Sequence, residues 1–205
     1  MTSEDRRLDG FSYSWIRSSG LGWLLGLALL TVLALLADLL GSGEGESQFM
    51  VGVGIGLGVG YAQGRTLRAW LGRSIGWIAA STLGMGALFV LHDIAAATGM
   101  EFPYSLPLYV LVGGLLTGLW QGALLRRVSE RARWWPIASV VAWGVPALCV
   151  ALGDASGTGV IGDIASLTAI LLGGGMLGAT SGGVLRWILA RPAVGVGRDP
   201  FETER

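Results

Sequence analysis

Hydrophobic residues along the chain gather into six long stretches separated by short polar connections. They lie at roughly Leu21–Leu40, Phe49–Gln63, Ile75–Ala97, Leu108–Leu125, Trp134–Leu152 and Ile164–Leu185. A helix rises about 1.5 Å per residue, so about 20 residues cross the ~30 Å hydrocarbon core of a bilayer. Each stretch is therefore predicted to be a transmembrane helix. The second is short unless it runs on through Leu67, which brings Arg65 close to the interface. Pro107 and Pro136 fall where a first helical turn tolerates a missing N–H, and Pro146 inside the fifth stretch predicts a kink. The first stretch is too long for a signal-peptide core and is expected to be a mature helix. Residues 1–20 are expected to form a cytoplasmic N-terminal segment, residues 21–189 a single membrane domain and residues 190–205 a cytoplasmic tail.

Arginine positions predict the orientation. Arg6, Arg7 and Arg17 precede the first stretch, Arg65, Arg68 and Arg73 follow the second, and Arg126, Arg127, Arg131 and Arg133 follow the fourth. Arg186, Arg191, Arg198 and Arg205 follow the sixth, and the other three connections hold none. By the positive-inside rule both termini are expected in the cytoplasm. Trp15, Trp23, Trp70, Trp77, Trp134, Trp135 and Trp187 gather near the same boundaries, as an aromatic belt does.

Superposing the even-numbered stretches brings out a repeat. Gly56, Gly60, Gln63, Gly64, Leu67 and Arg68 recur 58 positions later as Gly114, Gly118, Gln121, Gly122, Leu125 and Arg126. They recur a further 60 along as Gly174, Gly178, Ser181, Gly182, Leu185 and Arg186. Trp77 and Ser81 likewise return as Trp135 and Ser139. The expected architecture is all-α: three parallel helical hairpins, at about 21–68, 75–126 and 134–186, related by a pseudo-threefold axis along the membrane normal.

Composition agrees with a lipid setting. Hydrophobic residues make up 52% of the 205-residue chain and charged residues only 14%, about half the usual share. All 14 basic residues are Arg; without Lys no Schiff base can form, and without Asn no N-glycosylation site exists. Cys149 stands alone, excluding an internal disulfide and a thiolate metal cluster. Zero net charge and the lack of a basic arm argue against a nucleic-acid partner.

Gly52, Gly56, Gly60, Gly114, Gly118, Gly174 and Gly178 lie at four-residue spacing, which makes a flat ridge for close helix contact in lipid. With Gly54 and Gly58 the second helix carries two ridges on opposite faces. Gln63, Gln121 and Ser181 form a polar inner set beside these ridges: either a hydrogen-bonding contact between helices or the lining of a path. Asp38, Asp93 and Asp154 lie near the outer ends of odd-numbered helices, as an acidic ring attracting cations or as solvated helix ends. His92, the only histidine, is a candidate ligand for a pigment or metal centre, or a hydrogen-bonded interfacial residue. No catalytic or metal-binding motif is present: G-x-S-x-G, H-E-x-x-H and Walker A are missing, and no second His or Cys supports zinc.

The repeated Gly-Gln-Leu-Arg pattern and following Trp resemble a group of bacterial polytopic membrane proteins, over about Gly56 to Arg186. The resemblance implies a bacterial cytoplasmic membrane location and brings no activity or cofactor. Mitochondrial carriers also have three two-helix repeats, but their Pro-x-[Asp/Glu]-x-x-[Lys/Arg] signature is missing. The expected role is a non-enzymatic accessory or scaffolding subunit in contact with lipid and other membrane-protein subunits. By analogy its home is a photosynthetic or respiratory assembly. The alternative is a small channel or transporter for a cation or small solute along a pseudo-threefold pathway.

Overall fold

A computed structural model describes residues 3–39, 48–100, 105–155 and 160–190. Six helices account for nearly all of them: α1 (Ser3–Leu39), α2 (Phe49–Leu71), α3 (Ile75–Ala97), α4 (Leu106–Leu125), α5 (Trp135–Ala155) and α6 (Val160–Leu189). A 3₁₀ turn, Glu130–Trp134, leads into α5. Among the described residues there are no strands.

Local chemistry sets the helix ends. Gly99 takes φ +74° and closes α3, with its N–H on the Ala96 carbonyl and the Met100 N–H on that of Ala95. This paired bonding consumes carbonyls that a helix end leaves open, and only Gly enters that conformation without a Cβ penalty. Gly72, at φ +69°, turns the chain so sharply that Arg73 N–H bonds the Leu71 carbonyl at 2.7 Å. The α2–α3 connection is therefore only three residues long. Pro107 lies in the first turn of α4, where its missing N–H costs nothing.

The helices pack in chain order, each on its two neighbours, and α1 packs on α6. The six-helix arrangement is therefore a closed ring. Helix α1 begins well upstream of the hydrophobic stretch that predicts it, and Phe11, Trp15 and Ser19 are buried within the bundle. Helix α2 runs on past Leu67, to Leu71.

Glycine decides how closely neighbours approach. A Cβ on Gly60 would lie 2.6 Å from that of Ser81, one on Gly118 2.5 Å from that of Ser139, and one on Gly178 2.9 Å from that of Ser19. The α2–α3, α4–α5 and α6–α1 contacts thus share one arrangement, with a Gly ridge against a Ser. Gly54 and Gly58 face the other way, against Gly26 and Gly22 of α1. Helix α2 is gripped from two sides, and α1 and α3 approach it almost backbone to backbone.

The outer surface of the ring is apolar. Leu25, Leu57, Leu83, Leu115, Val141 and Leu171, one from each helix, are among many large hydrophobic side chains left exposed. A soluble monomer rarely leaves so continuous an apolar surface uncovered. Three segments, Gly10–Leu39, Ile75–Ala97 and Leu106–Leu125, are long and apolar enough to cross a bilayer. Glycine, Gln63 and Arg65 dilute the hydropathy of α2.

Candidate functional site

A closed ring has an axis, and the residues that meet there are the first place to look for function. Trp15 of α1, Trp77 of α3 and Trp135 of α5 touch one another pairwise, with ring centroids 5.7 to 6.3 Å apart. All three are buried. Three side chains from alternate helices of a ring can meet mutually only at its centre. The aromatic-belt expectation therefore fails for these three. Trp134 and Trp187 are exposed, while Trp23 is buried in a second cluster apart from the trio and the Trp70 side chain lies outside the described residues.

Each indole N–H of the trio has a buried acceptor on an even-numbered helix. Trp77 Nε1 donates to Gln63 Oε1 at 3.3 Å, Trp135 Nε1 to Gln121 Oε1 at 2.9 Å, and Trp15 Nε1 to Ser181 Oγ at 2.9 Å. The two amides also reach the preceding odd-numbered helix: Gln63 Nε2 donates to Ser19 Oγ and Gln121 Nε2 to Ser81 Oγ, both at 2.9 Å. Gln63 thus ties α1, α2 and α3 together, and Gln121 ties α3, α4 and α5. At the third position a serine is too short to make the second bond. Ser139, which an amide there would engage, donates instead to the Gly114 carbonyl at 2.8 Å. Ser81 and Ser181 also donate to backbone, at Trp77 and Leu177. In a low-dielectric interior each unmade bond would leave a costly orphan group. Among the described residues the one buried side-chain polar atom without a partner is Thr117 Oγ1, pressed against Gly84 of α3.

Apolar layers bracket this girdle. Leu67, Leu125 and Leu185 are fully buried in the same cluster as the Trp trio, toward the arginine-rich end of the ring, which we term inner and the opposite end outer. On the outer side lie Val59, Thr117 and Leu177, followed by Trp23, Met85 and Trp143. Beyond them a cavity of about 200 Å³ opens, touched by all six helices. Leu27, Phe89 and Ala147 line it at matching positions of the odd-numbered helices, and Gly52, Val110 and Ile170 at matching positions of the even-numbered ones. The side chains at these levels differ in size, so they do not fill the axis as the Trp trio does. Its almost wholly apolar lining offers water few hydrogen-bond partners.

The other described candidates take no part in the Trp contact. Asp93, on the outer end of α3, accepts from the backbone N–H groups of Gln48 and Phe49 at 2.9 and 2.8 Å. It caps the start of α2, where no side chain of that segment does so, and the N-terminal dipole of α2 offsets the unfavourable C-terminal dipole of α3. Asp38 is exposed, and the Asp154 side chain lies outside the described residues. His92 Nδ1 is 3.1 Å from the hydroxyl of Tyr109 on α4, with the two rings edge to face. Among the described residues no group of three His, Cys, Asp or Glu side chains could hold a metal.

The closed ring, its exposed apolar surface and its long apolar helices define a class: a helical protein with helices long and apolar enough to cross a membrane. No family model, no curated protein and no solved structure matches the chain.

Proposed function

We propose that the chain is a six-span membrane protein built from three copies of one helical hairpin, with both termini inside, and that it acts as a non-conducting structural subunit. The observation that carries this reading is the Trp15–Trp77–Trp135 contact at the centre of the ring. A conduit needs a continuous polar path, and three indoles with three leucines beneath them occupy the place where it would run. The polar groups nearby are engaged with one another, so they act as contacts between helices and not as a lining. The buried serines Ser81, Ser139 and Ser181 donate to backbone carbonyls, which also speaks against an activated nucleophile at those positions. What remains available for interaction is the outside of the ring, where apolar side chains and small residues suit neighbouring helices and lipid.

Solubilising the native membrane gently, with the chain expressed at its natural level, tests the reading. The expected result is co-purification with other integral membrane proteins in fixed stoichiometry. Recovery as a lone chain in a detergent micelle contradicts it. Orientation is checked by single cysteines in a Cys149→Ser background. Met100→Cys should label from outside intact cells, and Arg126→Cys should label only after permeabilisation; the reverse pattern inverts the topology.

A further inference from the structure

The inner rim of the ring is not the same at each hairpin junction, and the difference points to a ligand. Where the α4–α5 connection meets α6, Arg131 lies 4.4 Å over the Trp187 ring and donates to the Trp187 carbonyl at 3.0 Å. The matching place between the α2–α3 turn and the end of α4 is built from Arg73, Gly76 and Arg127, at the positions of Arg131, Trp134 and Trp187. Two indoles are thus replaced by a glycine and a second arginine. The space stays open as a cavity of about 490 Å³, lined by Leu71, Gly72, Arg73, Gly76, Leu124 and Arg127 together with Ile75. No acidic side chain lines it. Among the described residues neither guanidinium has a hydrogen-bond or ion-pair partner.

A third positive element, the start of α3, borders the same space. Ile75 and Gly76 form the first turn of α3, and Ser74 before them makes no side-chain cap, so the unpaired N–H groups of that turn remain available. Arg73 and Arg127 are exposed, so solvent screens their mutual repulsion, but two arginines and a helix N-terminus on one rim still concentrate positive charge where an anion is attracted. Planar, bidentate donation from Arg matches phosphate oxygens, and backbone N–H groups at a helix start suit the same charge. The apolar part of the lining, Leu71, Ile75 and Leu124, suits the hydrocarbon adjoining a phosphodiester.

We propose that this inner-rim pocket binds a phosphate-bearing anion, supplied by the headgroup of an anionic phospholipid or by free phosphate. The proposal rests on the membrane placement of the ring and is independent of the scaffolding role.

The test is native mass spectrometry of the full chain in a neutral detergent, titrated with phosphatidylglycerol, phosphatidylcholine or inorganic phosphate. One phosphatidylglycerol should be retained in preference to phosphatidylcholine. The Arg73→Gln/Arg127→Gln variant should weaken that binding by about thirtyfold, in line with the usual contribution of two basic residues near an anionic headgroup. Gly76→Trp fills the pocket without removing charge; a Cβ there meets only Leu124 side-chain atoms, at 3.4 Å. It should abolish retention while the thermal unfolding temperature stays unchanged. Arg65→Gln, outside the pocket, should bind like the parent. Displacement by millimolar inorganic phosphate assigns free phosphate as the source, and retention in its presence assigns the lipid headgroup. Equal retention of both lipids, or undiminished binding by both pocket variants, overturns the proposal. Neither result bears on co-purification with partners, so the two readings fail separately.

Discussion

The inner and outer halves of the axis are built from the same positions of the same helices, yet one is filled and the other hollow. In the inner half Trp15, Trp77 and Trp135 are identical side chains, and so are Leu67, Leu125 and Leu185. Equal side chains from alternate helices close the centre evenly, and the three indole N–H groups find Gln63, Gln121 and Ser181. In the outer half Leu27, Phe89 and Ala147 share a level, and Gly52, Val110 and Ile170 share another. Unequal side chains cannot tile that centre evenly, and a cavity remains. The comparison teaches that equivalence of side chains, more than of backbone, decides whether a ring of helices is sealed.

The largest difference should appear on removing one bulky group from each half. Trp77→Ala strips a member of the trio and orphans the Gln63 carbonyl oxygen, at a cost of about 3–5 kcal/mol. Leu27→Ala enlarges a space that already exists around a partly buried side chain and should cost about 1–2 kcal/mol. Chemical unfolding in detergent, followed by tryptophan fluorescence, measures both. Equal losses would erase the distinction between the halves.

Backbone proximity gives a smaller contrast. Gly118→Leu drives a side chain into Ser139 and Pro136, with an overpacking cost of about 1–3 kcal/mol. Gly183 has open space where a Cβ would stand, so Gly183→Leu should be neutral or slightly stabilising. A Gly118→Leu protein as stable as Gly183→Leu would show that α4 and α5 are not held by the ridge.

The smallest effect should be a gain. Ala147→Leu restores the side chain that Leu27 provides at the matching level and should stabilise the protein by about 0.5–2 kcal/mol by filling the cavity. A loss of stability on that substitution would mean that the space is already occupied by the surrounding helices.

Much of the helical fold is legible in the sequence because hydropathy reports burial in lipid directly. The start of α1 is not, since Ser12, Ser14 and Arg17 dilute the pattern around Phe11 and Trp15. The missed signal is a four-residue spacing. Trp15, Ser19 and Trp23 precede Trp77, Ser81 and Met85 by 62 positions, whereas the next copy follows at 58, so superposition at one fixed offset passes over it. The Gln63 and Gln121 positions are readable from their motif, but the helices that they join follow only from ring closure. The role of Asp93 is set by the approach of α2 to the end of α3 and leaves no mark in local sequence. The rim pocket is likewise invisible until Arg127 and Gly76 are seen at the places of two tryptophans.

The central claim is that the axis is sealed at the Trp trio, and flux through the purified protein in liposomes tests it most directly. Potassium, proton and small-solute permeation should match protein-free vesicles, both for the parent chain and for the Gln63→Leu/Gln121→Leu variant. A flux above that baseline, abolished when the two amides are replaced, would contradict a sealed axis and make these residues the lining of a pathway.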